Sequence, residues 1–386
     1  MTPGRPLSFI ALGLFGLYVV EFGVVGVLPS IVDRYDVSVD QADRVVGFFA
    51  LIVAAAGPVM VVWLACLDRR RVLTGTLLVF SLCSLLSAWA PNYAVLMALR
   101  VPSALLHPVF FSVAFATAAS LYPPERATHA TTMAYIGTSM GLVLGVPLST
   151  WIDARISYAA AFYFAAAVNL VAALGLWFML PAAPGPGPTE RAGALHVLRS
   201  NRVWLSIGAT VAVFAAMFSV YSYAAAYLSE KTGLDGELIS LLLVVFGIGG
   251  VAGNLLAGRW LSRRLVPTVL TYPVMLAFAY AVLAWFTSSS LWDMLPICLL
   301  WGAVHTSGLI VCQVWLISAA PDAPAFATSL FVSSANFGTV CGTTLSGRLI
   351  EWHGLDGTLW SGWLFAAIAV GLVLARSILP ARYNTA

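Results

Sequence analysis

A single acid, Glu21, stands in a stretch from Leu7 to Leu28 that is otherwise uncharged. A second apolar stretch carries Arg100, then His107 seven residues on and Phe111 four beyond that, which sets all three on one face of a helix. A carboxylate, a guanidinium and an imidazole can hold, release or steer a proton. An ionised group alone near the middle of a bilayer costs about 3 kcal/mol or more, so Glu21 and Arg100 are expected to pair or to face water. Their depths agree: counted at helical rise from opposite ends of their spans, each lies roughly 21 Å from the inner edge of a core about 30 Å thick. An acid held against a guanidinium keeps its charge, and one parted from it takes up a proton, so the pair could switch. The alternative is a permanent ion pair that only fixes packing. His107 is open to two readings, a proton carrier, or a hydrogen-bonding group that contacts substrate or packs the bundle.

A second set of residues offers ring faces with polar tips, the mixture that lines small-molecule sites. Trp301 and His305 are four apart, with Gln313 further along; Tyr221, Tyr223 and Tyr227 fall together, and Tyr223 and Tyr227 share a face. Asn336 lies beside glycines, as Asn254 does, and helix-to-helix hydrogen bonding is the plainer account of both. With 13 Trp in the chain, most are expected to be interfacial anchors.

The elements that position these residues must be membrane helices. The chain of 386 residues is 61% hydrophobic and 9% charged, far from a soluble composition. At roughly 20 apolar residues per crossing, the runs predict about twelve spans, six between residues 7 and 180 and six between 203 and 379. The first run is expected to remain in the mature protein, being too long for a signal-peptide core. Arginines gather in alternate loops (Arg5, Arg69 to Arg71, Arg126, Arg191, Arg199, Arg202, Arg263, Arg264, Arg382), which puts both termini in the cytoplasm. The net charge of +3 is spread over these loops and points to no nucleic-acid partner. The five cysteines, Cys66, Cys83, Cys298, Cys312 and Cys341, have neither disulfide nor metal spacing, and neither cofactor nor metal is expected.

Residues 181–202 form the longest polar stretch and read as a cytoplasmic linker between a six-helix bundle at 1–180 and a second at 203–386. The halves echo each other: "IGTSMGLVLGVPLS" resembles "FGTVCGTTLSGR", matching Gly137 and Gly141 to Gly338 and Gly342. A six-plus-six duplication is a transporter signature with a midplane site between the halves. Gly137, Gly141 and Gly145 recur every fourth residue, and Pro147 follows; that face either packs tightly or slides as a gate.

The motifs "EFGVVGVLPSI", "ALRVPSALLHPVFF", "GTSMGLVLGVPLSTW", "YSYAAAYL", "GNLLAGRWLSRR" and "NFGTVCGTTLSG" resemble the major facilitator superfamily over nearly the whole chain. The nearest resemblance is to its twelve-helix drug and proton antiporter class, in the branch of arabinose-type sugar, purine-ribonucleoside and chloramphenicol exporters. It implies an all-α polytopic membrane protein of two pseudo-symmetric six-helix bundles, with helices one, four, seven and ten lining the cavity. Gly141, Gly145 and Pro147 match the motif that the family associates with export. The loop after the second span departs from the family pattern: "VWLACLDRRR" keeps only its basic end, Arg70 and Arg71, and has Cys66 where the acid belongs.

Together these readings predict a proton-coupled exporter of small organic solutes such as sugars, nucleosides or amphiphilic drugs. It would work by alternating access as a monomer in a bacterial inner membrane. An uncoupled facilitator or importer, and more remotely a polytopic membrane enzyme, are the alternatives. Arg100 is expected to be the one interior basic residue.

Overall fold

The computed structural model describes residues 4–64, 67–123, 126–183 and 196–378, apart from the side chains at 39, 40, 43 and 128. Most of the linker (184–195), Cys66 and Arg382 therefore lie outside the described residues. Every regular element among those described is helical. In the first half these are α1 (Gly4–Phe22), α2 (Leu28–Tyr35), α3 (Val39–Leu64), α4 (Arg69–Ser87), α5 (Tyr93–Ser120), α6 (Ala127–Arg155) and α7 (Tyr158–Met179). In the second they are α8 (Asn201–Tyr221), α9 (Ala224–Thr232), α10 (Gly236–Arg263), α11 (Leu265–Phe286), α12 (Leu291–Ile317), α13 (Pro324–His353) and α14 (Gly357–Ile378). Among the described residues, eleven stretches are long and apolar enough to cross a membrane, and the last, Pro324–Ile378, contains two long helices, α13 and α14, which makes twelve crossings.

Helix starts follow local chemistry. Asp68, Asn92, Ser157 and Asp235 each accept a hydrogen bond from the amide three residues on, satisfying a donor that the first turn leaves free. Outward-facing Trp63, Trp89, Trp151, Trp204, Trp285 and Trp292 sit within about a turn of helix ends, where amphipathic rings meet a membrane interface.

The contacts divide the chain into a unit of residues 1–191 with 324–333 and a unit of 192–323 with 334–386. In the first, α1 does not continue straight to Leu28 as one span. It gives way directly after Glu21 and Phe22 to a 3-10 turn over Gly23–Val27, and the helix resumes as α2. Close approach of α6 explains the break. A Cβ on Gly23 would lie 2.6 Å from Ser149 Oγ, and one on Gly26 would lie 2.6 Å from the Val146 carbonyl oxygen. The second unit interrupts its corresponding span too, between α8 and α9 at Ser222 and Tyr223.

The glycine face of α6 packs against α1. A Cβ at Gly137 would collide with the Ala11 backbone, and one at Gly141 would come within 2.7 Å of Tyr18 Cβ, whereas at Gly145 the nearest atom is 3.5 Å away. On α13, Gly338 and Gly342 meet Val211 and Ala215 of α8 in the same way. Gly137→Ala should therefore destabilise the protein by about 1–3 kcal/mol through overpacking, with Gly145→Ala near wild type. Thermal melting of the two purified variants in detergent measures the difference.

Candidate functional site

In the first unit Glu21, Arg100 and His107 converge, all buried, at 5%, 4% and 2% exposure. Their pairing differs from the sequence expectation. Arg100 does not clasp the Glu21 carboxylate: its Nη1 donates to the Val20 carbonyl at 3.2 Å and its Nη2 to the Glu21 carbonyl at 3.3 Å. The break after Glu21 accounts for this, because leaving α-helical geometry frees carbonyls from their usual amide partners. The guanidinium also lies 4.8 Å from the centroid of the Phe49 ring, a cation–π contact.

The carboxylate goes to His107 instead. Glu21 Oε2 lies 3.1 Å from His107 Nε2, at ion-pair distance but outside hydrogen-bond alignment, so the contact takes its full strength when the imidazole is protonated. His107 Nδ1 has no hydrogen-bond partner among the described residues. Rings enclose the pair: Phe111 stacks on His107 at 6.3 Å, Phe49 meets it edge-on at 5.8 Å, and Tyr18 lies 6.2 Å away. Neither Phe49 nor Tyr18 was singled out from the sequence; Tyr18, one turn before Glu21, was findable by helical spacing.

In the second unit Tyr221, Trp301 and His305 come together with Phe218 and Phe246. His305 is wholly buried, with ring centroids of Tyr221 at 4.9 Å, Phe246 at 5.3 Å and Phe218 at 5.8 Å. Phe246 stacks on Tyr221 at 5.2 Å and meets Trp301 edge-on at 4.8 Å. Both His305 nitrogens and Trp301 Nε1 lack a hydrogen-bond partner among the described residues. Tyr221 is only partly buried and forms the rim of the cluster.

The other tyrosines do not join. The Tyr223 hydroxyl donates to the Thr343 carbonyl at 3.4 Å, and that of Tyr227 meets Thr287. The two do follow each other on one turn, the Tyr227 amide donating to the Tyr223 carbonyl at 2.8 Å, but the break at Ser222 and Tyr223 parts that turn from the helix that carries Tyr221. Gln313 and Asn336 are buried in the second unit.

Arg100 is not the one interior basic residue. Arg376, near the end of α14, is 1% exposed; its Nη1 donates to the Trp315 carbonyl at 2.6 Å, its Nη2 to Ser318 Oγ at 2.7 Å, and it lies 3.5 Å over the Trp315 ring. It caps the carbonyl end of α12, a position that favours a cation. Of the loop arginines, Arg70 packs over the Trp177 ring at 4.2 Å, and the Arg71 amide donates to the Asp68 cap at 3.0 Å. Gly137 and Gly141 sit at the closest approach of α1 and α6; Pro147, within α6, adjoins the Val146 carbonyl that Gly26 approaches.

Twelve apolar helices, a charged cluster inside one bundle and an aromatic cluster with unanswered polar atoms inside the other define a polytopic membrane transporter. Comparison agrees. The model of the Major Facilitator Superfamily matches residues 10–324 and 209–385, and the chain belongs to that family. It is 28% identical to the inner membrane transport protein YdhP of Escherichia coli K12 over 99% of this chain and 97% of that one. It is 31% identical to the chloramphenicol efflux pump Rv0191 of Mycobacterium tuberculosis over 89% of this chain and 86% of the pump. The Escherichia coli fucose:proton symporter FucP has the same fold, with a TM-score of 0.73 at 15% identity, covering 98% of this chain and 100% of that one. These proteins are transporters, not enzymes.

A buried polar atom without a partner costs about 1–3 kcal/mol. His305→Phe keeps the ring contacts and removes two such atoms. It should raise the melting temperature, by up to that amount in stability, while weakening any solute that completes those hydrogen bonds. Thermal melting with and without solute reads both effects.

Proposed function

We propose that this transporter exports small organic solutes in exchange for protons, by alternating access, in a bacterial inner membrane with both termini cytoplasmic. The observation that carries the coupling is the Glu21–His107 contact at 3.1 Å inside a bundle that gives Arg100 other partners. Because carbonyls and the Phe49 ring hold the guanidinium, the carboxylate can gain or lose a proton without stranding a bare cation. One charge moved through 100 mV is worth about 2.3 kcal/mol, enough for roughly a fifty-fold solute gradient.

Export is supported by the motif at Gly141, Gly145 and Pro147 and by relatives named as chloramphenicol efflux pumps. Tyr221, Trp301 and His305 supply the solute surface: ring faces with an N–H donor and an imidazole that donates at one nitrogen and accepts at the other. Gln313 and Asn336 add polar contacts, and Tyr223 and Tyr227 support the walls. A neutral or weakly amphiphilic solute fits that surface better than a strongly ionic one. The tight seam of Gly137 and Gly141 against α1 shifts as access alternates, while Arg70 and Arg71 anchor the start of α4. The working unit is a monomer.

The test uses inside-out vesicles held interior-acid, with chloramphenicol, a sugar and a nucleoside added in turn and proton release followed by a dye. Wild type should release protons with at least one of them. Glu21→Gln should lose that release while retaining solute exchange down a gradient, and His107→Asn should lower it by roughly 100-fold if the imidazole shares the proton. Equal release by wild type and Glu21→Gln would remove the coupling assignment.

A further inference from the structure

Beside the Glu21–His107 pair, and sharing Arg100 with the charged cluster, the first unit holds a cavity of about 30 Å³. Its polar wall consists of Ser84 and Ser87 of α4, Arg100 and Ser103 of α5, and Ser149 of α6, with the Cys83 thiol between them. A water needs roughly 10–15 Å³ measured this way, so there is room for about two. On the α1 side Val19, Val20, Gly23, Val24 and Val27 line it, along the 3-10 break. Its far end reaches Ser87, the last residue of α4, and so approaches the end of the bundle opposite the N-terminus. Arg100 belongs to its floor; the Nε atom has no partner among the described residues, and the Nη atoms hold the Val20 and Glu21 carbonyls.

We propose that this cavity carries water from the side opposite the N-terminus and is the route by which protons reach Glu21, inside the first unit and apart from the solute's path. The proposal rests on the coupling reading above. The cavity is too small for a solute, and the Arg100 cation disfavours a metal ion, which leaves water. In the step, a hydronium gives a proton to a Glu21 carboxylate oxygen: one hydronium O–H bond breaks, one carboxyl O–H bond forms, and neutral water remains. Arg100 keeps its own protons. Its charge disfavours a hydronium resting at the floor, so the cavity passes the proton on rather than storing it.

Among the described residues, the charged and titratable groups around Glu21 are His107 and Arg100 from α5, Tyr18 from its own helix and, on the cavity side, the Cys83 thiol of α4. Around them α3 brings Phe49, α4 brings Cys83 and Ser84, α6 brings Gly145 and Ser149, and α7 brings Asn169, which bonds at Gly16. None of these carries charge.

Silver ion, which follows water and binds thiols, tests the route without any solute. A reconstituted variant keeping Cys83 as its one cysteine (Cys66, Cys298, Cys312 and Cys341→Ser) is exposed to silver from the side opposite the N-terminus. Surviving thiols are then counted with a maleimide after denaturation. Cys83 should react roughly tenfold or more faster than Cys312 in the matching variant, and Ser87→Leu should slow it by a similar factor. Cys83 reacting no faster than Cys312 overturns the proposal. If Ser87→Leu fails to fold, Ser84→Val serves instead.

In the vesicle assay, Ser103→Leu should lose solute-driven proton release and keep solute exchange. Undiminished release in a folded Ser103→Leu protein overturns the route alone. A wild-type protein that exchanges solute without releasing protons overturns the coupling reading itself, and silver access to Cys83 would then report water entry with no proton task.

Discussion

A carboxylate inside an apolar bundle is the constraint around which the first unit is arranged. Glu21 can persist there only with compensating charge and dipoles close by, and each neighbouring feature supplies a part. The helix break after Phe22 frees carbonyls, which bind Arg100. Arg100 brings the positive charge to the right depth, and Phe49 gives its free face a ring to lie against. His107 takes the carboxylate itself. The break in turn depends on glycines at 23 and 26, because only a residue without a Cβ lets α6 approach so closely there.

The second unit repeats the scaffold and changes the chemistry. Its glycines at 338 and 342 seat α13 on α8 as Gly137 and Gly141 seat α6 on α1, and its first span also breaks. Where the first unit places an acid and a cation, however, the second places His305 and Trp301 among aromatic rings, their ring nitrogens without hydrogen-bond partners among the described residues. Unpaired buried polar atoms oppose stability, so each asks for a partner such as a water or a bound solute. On the reading proposed above, the duplicated framework carries two specialised sites, one for charge and one for contact with a neutral solute.

Much of this was legible in the sequence because helices translate number into distance. A fixed rise put Glu21 and Arg100 at one depth, the seven-and-four spacing put His107 and Phe111 beside Arg100, and a four-residue spacing joined Trp301 to His305. Partner choice was not legible. Two groups competed for one carboxylate, and the outcome turned on carbonyls freed by a break that hydropathy cannot register, because glycine and valine are as apolar as an intact span requires. Spacing was equally silent on the tyrosine hydroxyls: those of Tyr223 and Tyr227 meet Thr343 and Thr287 and do not join Tyr221. Arg376 escaped notice for a different reason: near the end of a span a basic residue reads as a loop charge, whereas here it turns back to cap α12.

The distribution of partners bears on whether the cluster can switch. With Glu21 ionised and His107 neutral, the acid and Arg100 sum to zero; one added proton, on either the carboxylate or the imidazole, leaves a charge of +1. Had the carboxylate been Arg100's sole partner, that proton would strand a bare guanidinium in an apolar interior, and the pair would behave as a lock. Two carbonyl dipoles and the Phe49 ring already answer the guanidinium in both states. The cost of protonation is thereby lowered without being abolished, because a net charge inside the bundle still favours water. A cluster so balanced is survivable in either form and more strongly drawn to hydration in one of them. That difference between the two protonation states is what an alternating cycle needs to be biased by a proton.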